Sequence, residues 1–151
     1  MTEKGRVLVV DDDEGIRTTC AAILEENGYL VDTAETGKEA IQKSNENFYN
    51  AALIDIRLPD MEGTQLLTAM KETTPKMVKI IITGYPALKN AVEAVNNGAN
   101  AYLLKPPNMT ELLSILEENL RKQRTEKIGS EDKVADFVRR RIHELEKEES
   151  T

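Results

Sequence analysis

At 151 residues the chain is long enough for one domain with a buried core and a short appendage. It is 40% hydrophobic and 31% charged, the balance of a soluble globular protein. No apolar run is long enough to cross a bilayer as a helix, and a net charge of -7 lacks the basic face that general nucleic-acid binding needs.

In chain order, residues 1–6 carry no long apolar stretch, so an ordinary signal peptide is not expected and the chain reads as cytoplasmic. The short apolar runs 6–10, 29–33, 51–54, 78–82 and 101–104 have strand length, and most are rich in Val, Ile or Leu. The second, Tyr29-Leu30-Val31-Asp32-Thr33, alternates more and reads as an edge strand. Helical spacing fills the intervals. Segment 15–27 repeats Ile16, Cys20, Ile23 and Leu24 before Gly28. Segment 36–47 opens on Thr36 with Glu39 three residues on, as in a capping box. Segment 63–73 carries Leu66, Leu67 and Met70, and segment 86–97 runs from Pro86 to Gly98. Segment 108–125 starts at Asn108 and presents Leu112, Leu113, Leu116 and Leu120. The single cysteine, Cys20, has no partner for an internal disulfide and reads as a buried, inert thiol.

Around Ile128-Gly129-Ser130 the pattern breaks, and a last helix is expected from Glu131 to about Lys147. Val134, Phe137, Val138, Ile142 and Leu145 fall on one stripe of it, with Arg139, Arg140 and Arg141 mostly off it. The arginines read as a solvated face, and His143 as a surface histidine rather than a phosphoacceptor. The expected organisation is a domain over 1–125 and a helical extension or linker over 126–151.

Strands alternating with helices imply an α/β fold, a parallel sheet with helices on both faces. A doubly wound, flavodoxin-like sheet in order 2-1-3-4-5 is expected, with its switch point between strands 1 and 3. Four apolar runs end in a polar group: Asp11-Asp12-Asp13, Asp55, Thr83 and Lys105. Ligands bind beyond the carboxyl ends of such strands, so the four ends converge on one crevice. Two carboxylates about 4 Å apart repel by roughly 4 kcal/mol at an effective dielectric near 20. A cluster of them is either a solvated turn or a site for a hard divalent cation such as Mg²⁺.

Four segments together carry a family resemblance: Val7-Leu8-Val9-Val10-Asp11-Asp12-Asp13, the run from Ala52 through Asp55 to Gly63, Ile80-Ile81-Ile82-Thr83-Gly84, and the run from Gly98 through Tyr102 to Lys105-Pro106. Over roughly residues 5–122 the chain resembles the receiver domain of two-component response regulators. The resemblance implies that Asp55 accepts a phosphoryl group from a histidine kinase, a phosphotransfer protein or a small phosphodonor. It implies Mg²⁺ held by Asp11, Asp12, Asp55 and the backbone carbonyl of Arg57. It also gives Thr83 and Lys105 contacts to the arriving phosphoryl group, Tyr102 an aromatic switch role, and the Lys105–Pro106 bond a cis geometry. Arg57 and Tyr85 occupy the positions that tune phosphoryl lifetime in that family. Asp13 reads as a solvated neighbour.

On this reading the domain is not an enzyme beyond its own phosphoryl transfer and autodephosphorylation. Its expected partners are the kinase or phosphotransfer protein and, through the C-terminal helix, a second copy or a downstream protein. No nucleic acid or membrane partner is expected. Two other readings compete. One is a Mg²⁺-dependent phosphatase with an aspartyl nucleophile, which wants Asp-x-Asp-x-Thr where this chain has Asp11, Asp13 and Gly15. The other is a receiver fragment of a larger effector protein.

Overall fold

In the computed structural model the described residues are 4–84 and 87–149. Five strands and five helices alternate: β1 (Arg6–Val10), α1 (Glu14–Glu26), β2 (Leu30–Ala34), α2 (Gly37–Glu46), β3 (Ala51–Asp55), α3 (Gly63–Ala69), β4 (Val78–Thr83), α4 (Leu88–Asn96), β5 (Ala101–Leu104) and α5 (Met109–Glu149). Every strand pair is parallel and the order is β2-β1-β3-β4-β5, as the alternation predicted. β3 and β4 are buried along their whole length, which explains their near-continuous apolar character. The edge strand β2 is only partly buried, and Leu30 lies open on it.

Side chains alternate across the sheet and build two cores. On one face Leu8, Val10, Ala52, Ile54 and Ile81 meet Ala40 of α2, Leu66 and Leu67 of α3 and Ala94 of α4. On the other, Val7, Val9, Leu53, Ile80 and Ile82 meet Cys20 and Leu24 of α1 and Leu112, Leu116 and Leu120 of α5. Those three leucines recur every four residues and are essentially inaccessible to water. Burying each contributes about 1.5–3 kcal/mol, so they dock the start of α5.

Caps mark the helix starts. The Asp13 carboxylate accepts the Ile16 N–H at 3.0 Å, Thr36 Oγ1 accepts the Glu39 N–H at 3.1 Å, and Asn108 Oδ1 accepts the Glu111 N–H at 3.0 Å. Glu39 does not complete a reciprocal box with Thr36; its carboxylate takes the Glu35 N–H instead. Gly28 and Gly98 follow the ends of α1 and α4 with φ of +93° and +98°, the left-handed region that favours glycine.

The C-terminal region departs from expectation. No break occurs at Ile128-Gly129-Ser130; α5 runs as one helix of 41 residues, about 60 Å long at 1.5 Å per residue. One interior glycine costs only about 1 kcal/mol relative to alanine. The flanking Lys, Glu, Arg and Gln residues are good helix formers, and pairs such as Glu118–Lys122 and Arg141–Glu144 add local support. Among the described side chains of α5, the last buried one is Gln123. Its Nε2 donates to the carbonyls of Asn50 and Lys76 at 2.9 and 2.8 Å, and its Oε1 accepts from Asn50 Nδ2 at 3.2 Å. No helix among the described residues is long and apolar enough to cross a membrane.

Candidate phosphoacceptor site

The carboxyl ends of β1, β3, β4 and β5 bring the predicted polar residues to one edge of the sheet. Asp55 is the last residue of β3, Thr83 the last of β4; Asp11 and Lys105 directly follow β1 and β5. Asp11, Asp55 and Thr83 are buried, whereas Asp12 is exposed. Lys105 Nζ bridges the two buried acids, 2.7 Å from Asp11 Oδ2 and 3.2 Å from Asp55 Oδ2. One carboxylate oxygen from each of Asp11, Asp12 and Asp55 lies within 4.8 Å of the other two.

Charge and burial compete at this edge. Burial, followed by the negative charge of Asp11, pushes the Asp55 carboxyl above the usual carboxylate range, against the opposing pull of Lys105. Burial alone would lower the Lys105 amine. Its hydrogen bond to Asp11 and the charges of Asp11 and Asp55 overcome that and hold it above its ordinary value. One ammonium among three acids leaves net negative charge. An all-oxygen donor set at this spacing fits a hard divalent cation.

Local folding fixes each group. Asp11 is tied into the sheet by its N–H to the Ala34 carbonyl, and its Oδ1 accepts the Asp13 N–H at 2.9 Å. Arg17, one turn into α1, donates to the Asp11 carbonyl at 2.9 Å. Asp55 is held from below by Gly63, whose N–H donates to the Ile56 carbonyl at 2.6 Å. A Cβ at Gly63 would stand 2.3 Å from the Asp55 carbonyl oxygen, so only glycine admits this approach. The connecting loop folds back through a bridge between Arg57 and Glu62. Asp60, at its tip, accepts the Gly37 and Lys38 N–H groups, both at 2.9 Å, at the start of α2. Those two backbone bonds hold its carboxyl below the usual range.

The remaining predicted residues fall as follows. The Arg57 side chain is exposed, and its N–H lies 3.5 Å from Asp55 Oδ1. Thr83 sits one step beyond the residue paired with Asp55, and its carbonyl accepts the Lys105 N–H at 2.7 Å. The Lys105–Pro106 bond is cis, as the resemblance implied. Tyr102 packs against the core of Ile54, Ile81 and Ala94, and its hydroxyl is buried with no hydrogen-bond partner among the described residues. Tyr85 and Pro86 lie outside the described residues. Cys20 is buried, and desolvation followed by the Asp11 charge raises its thiol, consistent with an unreactive group. His143 and the three arginines are exposed on α5; Arg139 pairs with Asp136 and Arg141 with Glu144.

Some residues that shape the site went unread in the sequence. Asp13 is the α1 cap, a role its spacing to Ile16 could have signalled. Asp60 and Gly63 act through contacts between loops, which no local pattern announces.

Known proteins match the chain over most of its length. The model described as "Response regulator receiver domain" matches residues 7–117. The chain belongs to the response regulator receiver family, the class of two-component signalling domains that take a phosphoryl group on an aspartate. It is 37% identical over 118 residues to the transcriptional regulatory protein ZraR of Klebsiella oxytoca, covering 78% of this chain and 27% of that protein. It is 36% identical over 125 residues to the DNA-binding transcriptional regulator NtrC of Proteus hauseri, covering 83% and 26%. The chain thus spans about a quarter of the length of these curated relatives.

Solved structures point the same way. A CheY-like receiver from Methanospirillum hungatei JF-1 is 47% identical with a TM-score of 0.76, covering 80% of this chain and 97% of that one. The beryllofluoride-activated NtrC4 receiver domain dimer is 39% identical with a TM-score of 0.73, covering 78% and 98%. A response regulator from Burkholderia pseudomallei, solved with a phosphorylated aspartic acid and a calcium ion, is 30% identical with a TM-score of 0.68, covering 81% and 72%.

Proposed function

We propose that Asp55 is the phosphoacceptor of this receiver, fed by a histidine kinase or phosphotransfer protein. The observation that carries the reading is the Lys105 amine bridging Asp11 and Asp55 while three carboxylates converge within 4.8 Å. The Asp55 carboxylate attacks phosphorus as the phosphorus–nitrogen bond of a phosphohistidine breaks and its electron pair returns to the imidazole. A carboxylate is a weak nucleophile, so positioning and charge neutralisation dominate. Asp11, Asp12, Asp55 and the Arg57 carbonyl are the groups that would hold Mg²⁺. Bound there, the ion supplies charge neutralisation for the phosphoryl oxygens. Lys105 turns from Asp55 toward a phosphoryl oxygen, and the Thr83 hydroxyl donates to another. Tyr102, half-buried and with a buried hydroxyl that has no hydrogen-bond partner among the described residues, packs behind Thr83 as that residue moves.

The donor's approach is supported by an open apolar groove beside the site, lined by Ile16, Thr19 and Cys20 of α1 and by Pro106, Pro107 and Met109. The receiver spans 1–125, because Gln123 is the last buried residue among the described side chains of α5 and those beyond it are exposed. The extension 126–151 pairs with a second copy through Val134, Phe137, Val138, Ile142 and Leu145, all exposed on one stripe.

Incubation with Mg²⁺ and acetyl phosphate, followed by mass mapping, tests the chemistry. One phosphoryl group is expected on Asp55 and none on Asp55→Asn. Label elsewhere, or none on a folded chain, overturns the assignment. Light scattering of a chain ending at residue 125 tests the self-association, which is refuted if the oligomeric state is unchanged.

A further inference from the structure

Lys79 interrupts an otherwise apolar strand. It is only 6% exposed, and its amine donates to the Leu67 carbonyl at 2.5 Å. Leu67 lies in the last turn of α3, where carbonyls lack an intrahelical donor, so the lysine caps that helix from the strand below. A carbonyl dipole does not neutralise an ammonium. A buried cation is costly unless an anion faces it, and no carboxylate lies within ion-pair distance of Lys79 among the described residues.

Lys79 also lines a cavity of about 110 Å³ where the end of α3, the loop after it and the end of α4 meet. Lys71, Lys76 and Lys79 line it against a single acid, Glu72, a formal excess of two positive charges. None of the three amines is in an ion pair among the described residues, although surface lysines elsewhere in the fold, such as Lys43 and Lys122, are. Burial, then the charge of Lys76, lowers the Lys79 amine below its ordinary value, a penalty that a bound anion would remove.

We propose that this corner binds a small tetrahedral oxyanion of the phosphate class, with Lys79 as its buried counter-charge and Lys71 and Lys76 closing over it from the rim. The volume suits a single oxyanion. The site is separate from the phosphoacceptor: Lys79 and Thr83 lie near opposite ends of β4, about 13 Å apart at 3.3 Å per residue. Helix α3 spans the gap, beginning at Gly63 beneath Asp55 and ending on Lys79. An occupied cavity therefore secures the far end of the helix that supports Asp55.

The test uses the full chain without Mg²⁺, titrated with inorganic phosphate at ionic strength matched by chloride. Melting temperature and backbone amide NMR shifts are followed. A saturable rise in melting temperature is expected, with shifts centred on residues 67–73, 76, 79 and 97–98. Lys79→Met should lose roughly tenfold in apparent phosphate affinity, the scale of one charge-assisted contact. Because that variant alters a core position, a Lys71→Gln, Lys76→Gln double variant at exposed sites serves as the second arm and should weaken the response several-fold. Shifts centred instead on Asp55 and Lys105, or a non-saturating response matched by chloride, overturns the proposal. So does a parental response from the folded Lys79→Met chain or from the double variant.

Discussion

Replacing Gly63 with alanine adds one methyl group where there is no space for it. The new carbon would lie 2.3 Å from the Asp55 carbonyl oxygen and 2.9 Å from Ile56 Cα, both backbone atoms at the buried end of β3. Ordinary contact begins near 3.4 Å, so helix α3 must withdraw by about 1 Å. Withdrawal weakens the Gly63-to-Ile56 hydrogen bond, now 2.6 Å, at about 0.5–1.5 kcal/mol, and the overpacking itself costs about 1–3 kcal/mol. Helix propensity returns at most about 1 kcal/mol. A net loss of about 2–3 kcal/mol is expected, which lowers the melting temperature by roughly 4–12 °C for a chain of this size. Phosphorylation by acetyl phosphate should slow at temperatures where the variant is still folded, because the strain falls on the Asp55 backbone. Gly84→Ala is the control: among the described residues its added carbon meets only Lys105 side-chain atoms at 3.9 Å, so its stability should change by less than about 1 kcal/mol. A Gly63→Ala chain that melts with the parent and labels at the parental rate would refute the reasoning.

Three other perturbations have definite signs. Lys105→Met removes the bridging cation from two buried acids and should cost about 3–5 kcal/mol in urea unfolding, with part recovered on adding Mg²⁺; an unchanged midpoint without metal would count against the pairing. Tyr102→Phe deletes a buried hydroxyl that has no partner among the described residues, so the variant should be no less stable and could gain about 1–3 kcal/mol by thermal melting. Asp32 carries the pH prediction. Burial would raise its carboxyl, but the Tyr49 hydroxyl at 2.6 Å and the Arg6 guanidinium, also 2.6 Å away, outweigh it and leave the group below its usual range. The folded state then binds this proton less readily than the unfolded chain. The associated stability is present above about pH 4 and is lost as pH falls through the depressed folded value. Acid unfolding of Asp32→Asn should show a shallower decline there, and parallel curves would remove Asp32 from the account.

Much of this molecule is legible along the chain because its determinants are local. Val7 to Val10 and Val78 to Ile82 are read as strands from their composition, and the acids or hydroxyl at their ends are placed by strand polarity alone. Parallel strands joined by right-handed crossovers admit few arrangements, so the convergence of Asp11, Asp55, Thr83 and Lys105 follows from pattern and topology. Other features depend on what the chain meets far away in sequence. Gly63 is mandatory only because β3 runs beneath α3. Asp60 matters because α2 presents two free N–H groups to it, 22 and 23 residues earlier. Lys79 looks like a flaw in a strand until Leu67 and the cavity appear beside it. The continuity of α5 through Gly129 was likewise beyond local reading, since a modest glycine penalty is outweighed only when summed over a long helix. Sequence periodicity reports which face of an element is apolar. Only the packed structure decides which two backbones touch, and which charge is left facing an empty space.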